Sequence, residues 1–331
     1  MRTLIIALLI PLTLGAKMPS VDLHNAAKPG LQMPVMGIGT CGYAISPNEK
    51  AELWNNSVAE KAVLAWLNLG GRRIDTSLDY LDQPGIGRAI RSQTAVPREE
   101  IFITSKVGGG PLGYNETLDQ LKTILAQLNT SYVDLLLIHW PLPVWSNSRD
   151  PACQHESQAR ACRQSSWRAM EEIFHSGRAL AVGVSNFEMS HLQDIVDMNS
   201  LLPAVNQVEY HPYWHEDDLV AYCRDKSIVF NTYSPLGTPD WGPDHRGWNS
   251  SILDLPLIRD IACRHAKSPA QVLLRWALEK KLVLNPRSWN EKHMAENLDI
   301  FDFELTSDEA RQIDDVPKPA NPKVCPYPSN K

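Results

Sequence analysis

Short apolar runs alternate with amphipathic stretches along most of this chain, beginning at Leu31 to Gly39 (LQMPVMGIG), which reads as a hairpin running into a first strand. Ser57 to Leu69 carries Val58, Ala62, Trp66 and Leu69 at helical spacing and stops at the double glycine Gly70-Gly71, as a helix C-terminus does. A second strand ends at Asp75, Pro84 to Arg91 is helical, and Ile101 to Val107 (IFITSKV) is a buried-strand pattern. Thr117 to Leu128 places Leu118, Leu121, Leu125 and Leu128 on one helical face ahead of a fourth strand, Asp134 to Trp140. Pro141 to Gln164 breaks the rhythm with prolines, polar residues and two cysteines. The alternation then resumes: helix Trp167 to His175, strand Ala179 to Ser185, a helix around His191 to Val196, strand Ala204 to Glu209, helix Asp217 to Asp225 and strand Ile228 to Tyr233. Thr238 to Leu255 is a second long loop, rich in Pro, Gly and Trp. Ser268-Pro269-Ala270-Gln271 opens a helix with a Ser cap, Pro at the first position and Gln three residues on. Leu282 to Asn285 is the last strand, and Thr306 with Glu309 caps a final helix.

Eight strands alternating with helices predict an α/β fold, a (β/α)8 TIM barrel with an N-terminal β-hairpin and long loops after strands 4 and 7. The competing doubly wound sheet lacks its fingerprint, because no Gly-x-Gly-x-x-Gly follows the first strand to open a helix. At 331 residues and 43% hydrophobic content, one barrel domain over residues 17–331 accounts for the chain. A net charge of −6 with no basic run beyond pairs such as Lys280-Lys281 argues against a nucleic-acid partner.

The first sixteen residues differ in character. Met1-Arg2 is positive, Thr3 to Leu14 is almost wholly apolar and Gly15-Ala16 is small, the three parts of a secretory signal, in a run too short for a stable membrane span. The competing reading is a buried first strand or helix. Sequons at Asn55, Asn115, Asn129 and Asn249 agree weakly with export, to the outside or to an organelle on the secretory route, with a cytoplasmic enzyme as the alternative. Cys153 and Cys162 share one polar loop and can pair in an oxidising compartment, whereas Cys223 and Cys263 fall on predicted helices as buried thiols.

Chemistry enters at the strand ends. Asp75, Lys106 and His139 each stand at the carboxyl end of an apolar strand, 31 and 33 residues apart, the length of one βα unit and its return. A lone Lys or His there is more often structural, but three in register converge on one mouth of a parallel barrel. Tyr80 follows Asp75 by five residues. A free phenol has a pKa of about 10, and a neighbouring ammonium stabilises its phenolate. Lys106, held by Asp75, can be that neighbour, and His139 can donate to a substrate oxygen or fix its direction. The group suits protonation of a carbonyl oxygen, a general-acid step that contributes roughly 10²–10⁴ in rate.

At these residues the sequence resembles the aldo-keto reductases, aldose and xylose reductases among them. The resemblance runs from Met33-Pro34-Val35-Met36-Gly37-Ile38-Gly39-Thr40 through Ile74-Asp75-Thr76, Tyr80, Ser105-Lys106 and Ile138-His139-Trp140-Pro141. It continues through Gly183-Val184-Ser185-Asn186-Phe187, Asn206-Gln207-Val208-Glu209-Tyr210-His211-Pro212, Tyr233-Ser234-Pro235-Leu236-Gly237 and Ala295-Glu296-Asn297. It implies a catalytic tetrad of Asp75, Tyr80, Lys106 and His139 with Tyr80 as proton donor, and an NAD(P)H-dependent reduction of an aldehyde or ketone, aldoses included. Ser185, Asn186 and Gln207 match residues that hold a nicotinamide carboxamide, and Tyr233 matches the aromatic stacked on its ring. On a plainer reading Asn186 and Gln207 only satisfy buried strand ends. Ser234, Leu236 and Asp240 fall where the pyrophosphate is covered.

Departures from the family pattern bear on the cofactor. The usual Lys-Ser pair after the last strand is Arg287-Ser288, and a downstream arginine position is His293, mostly neutral at pH 7. NADPH is the expected cofactor, with Glu296 and Asn297 on the same segment, and NADH or dual use remains open. Gly42 stands where a Lys often helps close over the cofactor, and Cys41 stands where many relatives place a pocket tryptophan. Trp140, Trp145, Trp241 and Trp248 either line the substrate pocket or pack the long loops down. No metal is expected, and the protein is expected to act on a small carbonyl compound as a monomer. The rival expectation is a secreted, non-catalytic nucleotide-binding barrel that serves as a sensor or binding protein.

Overall fold

The computed structural model describes residues 18–41, 56–108, 110–142, 148–237 and 251–318. The expected leader, Gly42, the sequons at Asn55 and Asn249, and Asp240, Trp145, Trp241 and Trp248 lie outside them. Ser20–Asp22 (β1) and Gln32–Pro34 (β2) form the antiparallel hairpin. Eight parallel strands follow: Ile38–Gly39 (β3), Arg73–Asp75 (β4), Phe102–Val107 (β5), Val133–Ile138 (β6), Ala179–Ser185 (β7), Val205–Glu209 (β8), Val229–Tyr233 (β9) and Val283–Asn285 (β10). Each pairs with its sequence neighbour from β3 to β10, and bridges from Met36 to Leu284 and from Gly39 to Arg287 close the ring. The fold is the (β/α)8 barrel that the hydrophobic rhythm predicts.

Strand side chains alternate between two cores. In β6, Leu135 and Leu137 point into the barrel with Phe102, Ala181, Val205 and Val283, while Leu136 and Ile138 face the helices. Leu23 and Met33 of the hairpin segment join the inner cluster, so the hairpin stoppers the amino-terminal end of the barrel. Chemistry is thereby left to the carboxyl-terminal mouth.

The seam between β10 and β3 is closed by isolated bridges, and Arg73 reinforces it. Its fully buried guanidinium donates to Pro34 O at 2.8 Å, Leu284 O at 2.6 Å and Asn285 Oδ1 at 2.9 Å. Burial lowers its pKa to about 10, against the pull of Asp75. Gly37 makes room for it, since a Cβ there would lie 2.7 Å from Arg73 Cζ.

Three expectations need correction. The hairpin's first strand is Ser20–Asp22, ahead of the Leu31 to Gly39 run in which the sequence pattern places the hairpin. The helix expected at Trp167 begins at Ala159 and runs to His175, because its first turns bury Cys162, Arg163 and Ser166, a face with little apolar signature. Cys223 is a buried thiol as expected, but Cys263 is exposed: its helix, Pro256–His265, buries Ile258, Ile261 and Ala262 and turns Cys263 outward.

Candidate active site

The mouth is assembled from the ends of neighbouring strands. Asp75 is the last residue of β4, Lys106 the second last of β5, and His139 follows β6 directly. Tyr80 comes from a single 3₁₀ turn, Leu78–Tyr80, which Ser77 caps by accepting from Asp79 N.

Lys106 is fully buried and all three of its N–H groups are placed: 2.5 Å to Asp75 Oδ1, 3.0 Å to Thr76 O and 3.3 Å to Tyr80 Oη. An ammonium in a dry interior is tolerated only when paired and bonded in this way. Asp75 is fixed from its other side by Gln207 Nε2 at 2.6 Å. Gln207 also donates to Asn231 Oδ1 at 2.7 Å, and Asn231 donates to Val283 O at 2.8 Å. One chain of hydrogen bonds therefore crosses the barrel from β10 to the Tyr80 oxygen. That oxygen accepts from Lys106, so the ammonium faces the atom that would carry phenolate charge.

His139 stands edge-on to Tyr80, with ring centroids 5.7 Å apart, and its Nδ1 lies 3.0 Å from Asp79 Oδ2. Burial lowers its pKa, outweighing the Asp79 hydrogen bond, and the Lys106 charge acts in the same direction. The ring is therefore neutral near pH 7. Trp140 stacks beside it at 5.8 Å.

One cavity of about 510 Å³ joins these groups to the expected cofactor residues. Asp75, Tyr80, His139, Trp140 and Cys41 line one part of it, together with Ser185, Asn186, Gln207 and Tyr233. Ser234 and Leu236 lead on to Arg287, Ser288, His293, Glu296 and Asn297. Asn186, in the left-handed region at φ 61°, donates to His139 O at 3.0 Å and accepts from Tyr233 Oη at 2.8 Å. Ser185 Oγ donates to Gln207 O at 2.8 Å. With both amide N–H groups of Gln207 committed, only its carbonyl oxygen can meet a ligand amide in the cavity. Arg287 donates to Cys41 O at 2.9 Å, and its guanidinium lies 5.6 Å from the Trp289 ring centroid. Amides, hydroxyls and a phenol at one end and a guanidinium at the other make a donor set that fits a nicotinamide nucleotide.

Some contributors are absent from the sequence reading. Asp79, Ser77 and Asn231 hold the expected residues in place, and Trp289, Arg259 and Asp254 add to the cavity wall. Asp79 alone carried a signal, as an acid adjacent to the candidate tyrosine in a strand-exit loop.

A barrel with its polar constellation at the carboxyl-terminal mouth defines a class of enzyme-like sites, and comparison with known proteins narrows it. The chain belongs to the aldo/keto reductase family, whose model matches residues 35–318. It is 36% identical over 311 residues to the uncharacterized oxidoreductase YtbE of Bacillus subtilis, covering 93% of this chain and 95% of that one. It is also 35% identical over 309 residues to the glyoxal reductase of Bacillus subtilis, covering 93% and 96%. Among solved structures, a Bombyx mori aldo-keto reductase in complex with NADP matches with a TM-score of 0.78 at 28% identity, over 90% of this chain and 92% of that one. The protein is an oxidoreductase of a family that uses NAD(P)H.

Proposed function

We propose that this protein reduces an aldehyde or ketone to an alcohol with NADPH, Tyr80 delivering the proton. The observation that carries this reading is the Lys106 ammonium, shared between Asp75 Oδ1 at 2.5 Å and Tyr80 Oη at 3.3 Å under the cavity. When bound, a reduced nicotinamide would supply hydride to the carbonyl carbon. Tyr80 directs its O–H at the carbonyl oxygen and releases the proton as negative charge develops there. Lys106 steadies the phenolate that remains, and Asp75 neutralises Lys106. Ser185, Asn186 and Gln207 would hold the carboxamide, Tyr233 the ring face, and Arg287 with Ser288 the 2′-phosphate. His293 stands where a downstream arginine is usual, so NADH is tested beside NADPH.

The experiment follows cofactor oxidation at 340 nm with both cofactors against aldehydes, ketones and aldoses, in wild type and Tyr80→Phe. Turnover that falls by about 10²-fold or more in the variant while cofactor binding persists supports the reading. Tight nucleotide binding without turnover in either protein favours the binding-protein alternative instead.

We propose further that the chain enters the secretory pathway. The apolar leader suggests it, and the Cys153–Cys162 disulfide together with exposed sequon residues Asn115 and Asn129 supports it. Amino-terminal sequencing and glycan analysis of protein from its native source provide the test. An intact, unglycosylated Met1 would sink the idea.

A further inference from the structure

His139 has two ring nitrogens, and their surroundings differ. Nδ1 lies 3.0 Å from Asp79 Oδ2 and 3.1 Å from Ser77 Oγ. Asp79 is brought there by the same 3₁₀ turn that presents Tyr80, and Ser77 caps that turn. A carboxylate only accepts hydrogen bonds, so an imidazole nitrogen facing it at this distance carries the proton; a lone pair there would be repelled. Serine is indifferent, since its oxygen can share the same N–H. The neutral ring then holds its remaining lone pair at Nε2. No described residue hydrogen-bonds Nε2, and His139 lines the cavity.

We propose that Asp79 is a positioning residue that locks His139 as the Nδ1–H tautomer, so that Nε2 accepts a hydrogen bond from substrate instead of donating one to the carbonyl. Burial keeps the ring neutral and so keeps that lone pair available. This rests on the reductase reading for what it says of substrate. Tyr80 then supplies the donor for the carbonyl oxygen, and His139 supplies an acceptor from a ring 5.7 Å away. The matching substrate has a hydroxyl on the carbon next to its carbonyl, one oxygen accepting from Tyr80 and the other donating to His139. Asp79 is not among the cavity-lining residues, so it acts through His139 and not on the ligand.

Two measurements on the full chain test this. Long-range proton–nitrogen spectra of ¹⁵N-labelled protein, with the signal assigned through His139→Gln, report the tautomer directly. Wild type is expected to show a protonated Nδ1. Asp79→Asn, whose amide N–H can face Nδ1, is expected to move the ring toward the Nε2–H form. The kinetic arm compares kcat/KM for glycolaldehyde with acetaldehyde. The preference for the hydroxylated member is expected to fall about three- to tenfold in Asp79→Asn, chiefly through KM, the range of one neutral hydrogen bond. An Nε2–H tautomer in wild type overturns the proposal, as does an unchanged tautomer and unchanged preference in the variant. If wild type turns over neither these aldehydes nor any carbonyl of the wider panel, the reductase reading fails, and the spectra still decide the role of Asp79.

Discussion

Asp82 occupies the N-cap position of the helix Gln83–Ser92, yet its carboxyl does not cap that helix. Thr76 Oγ1 donates to Oδ1 at 2.7 Å, and Oδ2 has no partner among the described residues. Burial pushes this carboxyl up to about 7, against the Thr76 and Thr40 hydroxyls and the Lys106 charge. In the unfolded chain an aspartate titrates at about 3.9. Between those values the folded protein holds a proton that the unfolded chain has released. The contribution of Asp82 to stability is therefore complete below about pH 4 and is lost as pH rises to about 7. Asp82→Asn removes this dependence. Urea unfolding at pH 5 and pH 8 should show the variant gaining on wild type by about 2 kcal/mol between the two conditions. An equal difference at both pH values would mean that the carboxyl is already ionised at pH 5. The residue lies one contact from the tetrad, because the carbonyl of its partner Thr76 accepts from Lys106. This closeness is hidden in the sequence, where no pattern singles out Asp82.

At the scale of elements, legibility followed how each segment meets its neighbours. Strands such as Phe102–Val107 and Val133–Ile138 are buried on both faces, so their apolar runs marked them plainly. The helix Pro269–Glu279 was legible from its start, since Ser268 and Gln271 form the expected reciprocal cap. The helix Ala159–His175 was half concealed because its first half is fastened by polar chemistry. Arg163 donates to Asp194 Oδ2 from Nε at 2.9 Å and from Nη2 at 2.6 Å, and to Pro141 O at 3.2 Å. Hydrophobic periodicity cannot register such contacts, whose partners lie 31 and 22 residues away. The site divides likewise. Asp75, Lys106 and His139 could be placed because a parallel barrel sends every strand end to one mouth. Asp79 could not, because its meaning depends on the orientation of a ring 60 residues on. Asn231 was missed because its part is to hold Gln207 from the next strand, a purely lateral contact.

For the molecule as a whole, the long connection after β6 has to be both a cavity wall and a stable piece of structure. Trp140 at its start lines the cavity, and Arg163 near the start of the following helix bonds the carbonyl of Pro141. Cys153 and Cys162 join the connection to that helix, nine residues apart in sequence and both fully buried. Cross-linking so short a loop removes conformations mainly from the unfolded chain, a contribution of about 2–3 kcal/mol. Because both sulfurs are buried, reductant should act on the folded protein only through local or global opening. Wild type and a Cys153→Ser/Cys162→Ser variant, compared by urea unfolding without reductant, should therefore differ by about that amount. Reductant present throughout should bring wild type toward the variant and leave the variant where it was. Coincident curves for the two proteins without reductant would show that the pairing contributes nothing to stability, and the disulfide's support for an oxidising destination would fall with it.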